Sequence, residues 1–131
     1  MMVVVDASVI VAATCDGGPA GEWAEALLET GDLVALHLGP VEATNVLRRL
    51  EQSKHLTRLE ATAAHEDLSR LDIELLPYEP FADRVWELRA NLTAYDAWYV
   101  AIAEMAGFPL ATLDHRLARA PGPRCEFMTP G

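Results

Sequence analysis

Apolar positions along this chain fall into two rhythms. The first is short, continuous and rich in β-branched residues: Val3-Val4-Val5, Leu33-Val34-Ala35-Leu36, Ile73-Glu74-Leu75-Leu76 and Pro109-Leu110-Ala111-Thr112-Leu113. Runs of this kind read as strands covered on both faces, which is how parallel strands look in sequence. A last run, Cys125-Glu126-Phe127-Met128, precedes Pro130 and reads as a fifth strand.

The second rhythm repeats every three or four residues and predicts helices. Ala7 to Ala13 is a short one. Glu22 to Glu29 carries Trp23, Ala26 and Leu27 on one face, and Gly31 ends it. Gly39-Pro40 opens another, since proline suits the first helical position. Val41, Val46, Leu47 and Leu50 form its apolar side, while Glu42, Asn45 and Arg49 share a different face. Arg58 to Leu71 and Pro80 to Leu92 follow. Thr93 then caps a helix that runs to Met105 and closes at Gly107, with Asp96 at the capping-box spacing. A short helix covers Leu117 to Ala120. Strands alternating with helices over 131 residues predict one α/β domain, residues 1–131, with a parallel sheet covered on both faces.

Composition narrows the function. Hydrophobic residues make up 51%, enough for a real core, yet no apolar run reaches the ~20 residues that span a membrane. The start, Met1-Met2-Val3-Val4-Val5-Asp6, lacks a basic segment and meets a carboxylate at once, so no signal peptide and no membrane association are expected, and the location predicted is cytoplasmic. Cys15 and Cys125 have no metal-ligand spacing, and His37, His55, His65 and His115 are scattered. The net charge of −10 excludes loose nucleic-acid binding through a broad basic surface. It leaves open a phosphate reached through a divalent cation, and it suits a basic protein partner. Lys54 is the only lysine; the other cations are arginines.

In parallel sheets, ligands bind beyond the carboxyl ends of the strands. Four acids fall there: Asp6 after the first strand, Glu42 and Asp96 in first helical turns, and Asp114 after the fourth strand. Others, such as Glu25, Glu29, Glu51, Glu60, Asp67 and Glu87, fall within helices and read as solvated faces. Each of the four has a structural account, because free N–H groups at a helix start favour a carboxylate. Together they have a chemical one. If the first and fourth strands are neighbours, the four meet in one crevice and repel, and a hard divalent cation relieves that repulsion. The helix N-termini are expected to keep the acids ionised.

Four segments then become specific in combination: Met2-Val3-Val4-Val5-Asp6-Ala7-Ser8, Pro40 to Arg49, Leu92-Thr93-Ala94-Tyr95-Asp96-Ala97-Trp98-Tyr99, and Leu110-Ala111-Thr112-Leu113-Asp114. In order and spacing they resemble the PIN domain, and more closely its VapC-type toxin ribonucleases. The resemblance covers essentially the whole chain. It implies a five-stranded parallel sheet of order 3-2-1-4-5 with helices on both faces, and cleavage of structured RNA such as transfer or ribosomal RNA. Asp6 and Asp96 match the core ligands of Mg2+, which Mn2+ can replace. Glu42 and Asp114 match the second pair of acids, binding a second metal or orienting water. Ser8, Asn45, Thr93 and Thr112 match polar positions that support the carboxylates; the role of Arg116 is left open. The chemistry implied is metal-assisted phosphodiester hydrolysis with neither a histidine base nor a covalent intermediate. The resemblance also implies a VapB-type antitoxin partner and a homodimer, for which the faces Val46 to Leu56 and Trp98 to Met105 are candidates.

Other acid-bearing α/β folds fit less well. A receiver domain needs a lysine after a late strand, and Lys54 lies mid-chain. A haloacid-dehalogenase-type phosphatase needs Asp-x-Asp after the first strand, where Ser8 stands instead. No glycine-rich phosphate loop is present. The remaining alternative is a PIN-like module that binds without catalysis, which loss of an acid would signal; none of the four is missing.

Overall fold

A computed structural model describes residues 1–131, the side chain of Thr30 excepted. The strands are β1 (Met2–Val5), β2 (Asp32–Leu36), β3 (Ile73–Leu76), β4 (Leu110–Ala111) and β5 (Phe127–Met128). They form one parallel sheet in the order β3-β2-β1-β4-β5, as expected. The helices are α1 (Ala7–Cys15), α2 (Pro19–Thr30), α3 (Gly39–Gln52), α4 (Arg58–Arg70), α5 (Ala82–Glu87), α6 (Ala94–Ala106) and α7 (His115–Arg119), with a 3-10 turn at Glu79–Phe81. None is long and apolar enough to cross a membrane.

The centre of the sheet is fully dry. Val3, Val4, Val5, Leu36, Leu110 and Ala111 have no exposed surface, and neither do Val100 and Ile102 of α6, which packs against β1, β2 and β4. An all-apolar strand sandwiched this way leaves its carboxyl end as the first place where a polar side chain meets solvent, and Asp6 stands there.

Three local features differ from the sequence expectation. The helix expected over Pro80 to Leu92 stops at Glu87. The Leu88 amide is shared among the carbonyls of Arg84, Val85 and Trp86, and the Asn91 side chain turns away to the Pro121 carbonyl at 3.1 Å. β4 is two residues rather than five, because the amides of Leu113 and Asp114 leave the ladder for the hydroxyls of Ser8 (3.1 Å) and Thr112 (3.0 Å). β5 starts late because the Arg124 amide is taken by the Glu104 carboxylate, which also forms a two-pronged pair with Arg84. Further, α2 begins at Pro19, and Gly21 in its first turn is obligatory: a Cβ there would lie 1.7 Å from the Asp16 carbonyl oxygen.

Trp98 to Ala103 are buried within this single chain, leaving only Met105, 67% exposed, from the α6 face considered for dimer contact. Val46, Leu50 and Leu56 are half-buried against the core.

Candidate active site

β1 and β4 are neighbours, so Asp6 and Asp114 leave adjacent strands at the same end of the sheet. The N-termini of α3 and α6 bring Glu42 and Asp96 to that end. The charges of Asp6 and Asp114 both raise the Asp96 carboxyl, and those of Asp96 and Asp6 raise that of Glu42, in each case less than burial does.

Asp6 is the innermost acid, 5% exposed. It caps α1 by accepting the Val9 amide at 3.2 Å, and it also accepts the hydroxyls of Ser8 and Thr112. Thr112, fully buried, gives its proton to Asp6 and accepts the Asp114 amide, so one hydroxyl ties the two acids together. Ser8 likewise bonds Asp6 and accepts the Leu113 amide, pinning the chain after β4 to the start of α1. Asp114 is exposed and caps α7 through the amides of Arg116 (2.9 Å) and Leu117 (3.3 Å). Thr93 caps α6 by accepting the Asp96 amide at 3.2 Å, which leaves the half-buried Asp96 carboxylate free of that role.

Ser8 and Thr112 thus bond the Asp6 carboxylate, and Thr93 bonds the Asp96 amide. Asn45 is exposed on α3, and among the described residues its side chain has no hydrogen-bond partner. The side chain of Arg116 is exposed and forms no ion pair with Asp114.

One residue was not anticipated. Tyr99, 1% exposed, donates its hydroxyl to Glu42 at 2.9 Å. Burial first, then the charge of Glu42, pushes the phenol far above its usual range, so it stays a proton donor. Gly39 makes room for it, since a Cβ there would sit 3.2 Å from the hydroxyl. The available signal was the three-residue spacing from Asp96, which puts both on one side of α6.

Against the charge-stabilising pull expected of helix N-termini stands burial. Asp6, Glu42 and Asp96 all sit above their usual values, and burial is the largest cause for each. Bonds from Ser8, Thr112, Tyr99 and Thr93 pull the other way without winning. Among the described residues, no three acidic, histidine or cysteine side chains close on a single point. The donor set is nonetheless all oxygen, and among the described residues none of the four acids forms an ion pair. That suits Mg2+, which takes one or two carboxylates and keeps several waters, better than a closed all-protein cage.

Comparison with known proteins follows the same lines. The family model for the PIN domain matches residues 3–123. Ribonuclease VapC9 of Mycobacterium tuberculosis is 38% identical over 126 residues, spanning 96% of each chain. The solved structure of FitAcB from Neisseria gonorrhoeae superposes with a TM-score of 0.71 at 21% identity, over 98% of both chains. That of VapBC2 from Rickettsia felis, bound to a DNA fragment from its promoter, gives 0.68 at 13% identity over 98% of both. At such identities the two structures speak for the fold.

Proposed function

This chain belongs to the PIN-domain family, and from that premise we propose that it is a divalent-cation-dependent endoribonuclease, the toxin of a toxin–antitoxin pair of the VapBC kind. What supports the chemistry is that four carboxylates stand at the carboxyl end of the sheet, three of them raised above their usual values, chiefly by burial. A site serving only as a scaffold would gain by replacing such acids with neutral residues.

Asp6 and Asp96 are the residues that would hold Mg2+ or Mn2+, with Glu42 and Asp114 on either side. Bound there, the cation supplies Lewis acidity toward a phosphodiester and lowers the pKa of water. The chain's own residues do the positioning. Ser8, Thr112 and the Val9 amide occupy the Asp6 oxygens on the protein side and fix its orientation. Thr93 frees Asp96 from capping its own helix. Tyr99 fixes Glu42, which can then orient a water or a second cation. Asp114, the exposed member, borders the solvent from which a strand must enter.

The relatives named as ribonucleases support RNA as the substrate, and the structure titled as a VapBC complex supports a VapB-type antitoxin as partner. A net charge of −10 favours a basic segment of that partner over the acids. Cytoplasmic location and a homodimer complete the reading.

The test is cleavage of transfer and ribosomal RNA by the purified chain. Mg2+ should support it, a chelator should abolish it, and both Asp6→Asn and Asp96→Asn should lose it. Undiminished cleavage by either variant would place the chemistry elsewhere. Folded, RNA-binding but inert wild-type protein in Mg2+ and Mn2+ would favour the non-catalytic module.

A further inference from the structure

One member of the α3 face shared by Glu42, Asn45 and Arg49 was left without a role, Arg49. In the structure that face forms a wall of a cleft of about 530 Å3, whose other wall is Tyr95 at the start of α6. The cleft touches the acid cluster directly, since Glu42 lines it and Tyr95 precedes Asp96. Its lining is unusual for an acidic protein. Tyr95 is 47% exposed and Val41 63% exposed, so an aromatic face and an apolar rim lie open to solvent beside the carboxylates. Arg48 and Arg49 line the same cleft, and among the described residues neither has an ion-pair partner, although acids outnumber cations two to one. The cleft on the opposite side of α3, lined by Val11, Ala12, Leu50, Leu56 and Leu113, contains no arginine.

Resting on the ribonuclease reading above, we propose that the α3–α6 cleft is the path by which single-stranded RNA reaches the carboxylates, with Tyr95 stacking a base and Arg48 and Arg49 holding backbone phosphates. The chemistry is complementary at each point. Every base has a face that an aromatic ring can stack on, and single-stranded loops present such faces. Unpaired arginines on a chain of net charge −10 mark where a phosphate is least repelled. Seven residues of helix separate Glu42 from Arg49, about 10 Å, so the cations grip the strand away from the bond to be cut rather than at it. Asn45, which among the described residues has no hydrogen-bond partner, lies between them and can bond a base or a sugar.

The experiment measures binding of a fluorescently labelled RNA hairpin with a single-stranded loop, in the Asp96→Asn background so that the strand stays whole. Tyr95→Ala should weaken binding roughly tenfold and leave its salt dependence unchanged, because a stacking contact releases no counterion. Tyr95→Phe should bind like the parent. Arg48→Ala and Arg49→Ala should each lower the slope of log affinity against log salt by about 0.7, the single-strand value for one phosphate. These residues are exposed, so melting temperatures should not move. Unchanged affinity and slope in all three alanine variants would overturn the cleft proposal while leaving Mg2+-dependent cleavage by the wild type intact. Wild-type protein that neither binds nor cuts RNA would overturn both. If Tyr95→Ala or Arg49→Ala instead turns a dimer into a monomer in sedimentation, with RNA affinity unchanged, the cleft joins two copies and the proposal fails.

Discussion

The bond from Tyr99 to Glu42 offers a sharp test of how the site is built, through Tyr99→Phe. Phenylalanine keeps the ring in its fully buried slot and removes only the hydroxyl, so packing is nearly conserved. What is lost is a hydrogen bond of 2.9 Å to a carboxylate. Bonds to charged groups contribute about 1.5–3 kcal/mol. Glu42 is half-buried, so water recovers part of the bond, and the low end, about 1.5 kcal/mol, applies. For a domain of this size that is a fall of roughly 5 °C in melting temperature.

The sign of the pH effect is fixed by the same contact. The Glu42 carboxyl stands above its usual 4.5 because burial and the charges of Asp96 and Asp6 outweigh the Tyr99 bond. Removing the bond raises it further. A raised carboxyl means that the folded state binds the proton more tightly than the unfolded one, so its ionisation costs stability above the folded pKa and that cost vanishes as pH falls through it. The destabilisation by Tyr99→Phe should therefore be largest near neutral pH and shrink as pH falls toward 4.5. The acid limb of Mg2+-dependent RNA cleavage should move to higher pH, and half-saturation should require more Mg2+. Calorimetric Mn2+ binding gives a reading independent of turnover and should weaken in parallel. A melting loss equal at pH 5 and pH 7.5, with an unmoved acid limb, would show that the hydroxyl serves packing alone.

Two further perturbations probe the rest of the cluster. Asp96→Asn should raise the melting temperature in chelator, since it removes a buried charge crowded by Asp6 and Asp114, and the gain should fade as pH falls toward the carboxylate range; if fluorimetric melting shows wild type and variant gaining equally from Mg2+, the acids do not converge on a cation. Thr112→Val should cost about 2–4 kcal/mol in urea unfolding, because it strips a donor from Asp6 and an acceptor from the Asp114 amide at a fully buried position, and Thr112→Ser should restore most of it; a valine variant as stable as wild type would dissolve that link between the acids.

The sheet and the two acids that follow its central strands, Asp6 and Asp114, were legible in the sequence for a common reason. An uninterrupted apolar run ending in a carboxylate, as at Val5-Asp6 and Leu113-Asp114, has few structural uses outside a parallel strand feeding a site. Tyr99 was illegible as a site residue because its partner lies 57 positions away, and an aromatic on an apolar helix reads as core. It is core by ring and site by hydroxyl. The ends of β4 and of α5 escaped the pattern because tertiary hydrogen bonds set them: the Thr112 amide still bonds Met128, Ser8 and Thr112 then take the amides of Leu113 and Asp114, and Asn91 turns to Pro121. Asn45 misled in the opposite direction. It has the spacing of a residue supporting Glu42, but it faces the open cleft, where Tyr99 has already taken the support role from beneath.

Capping and catalysis divide differently among the four acids than first-turn placement implies. Asp6 and Asp114 do cap their helices, with carboxylate oxygens on backbone amides. Asp96 does not, because Thr93 caps in its place, and Glu42 is held by a phenol from another helix. The two capping acids are therefore fixed by local structure and Glu42 by a residue of another helix, which leaves Asp96 the least constrained of the four. For Asp6 the cap and the two hydroxyls lower the carboxyl without offsetting burial, so it stands above its usual value while its orientation is fixed. On the reading proposed above a cation would complete the site, and the exposure of Asp114 leaves a side facing solvent open to the phosphate of a substrate.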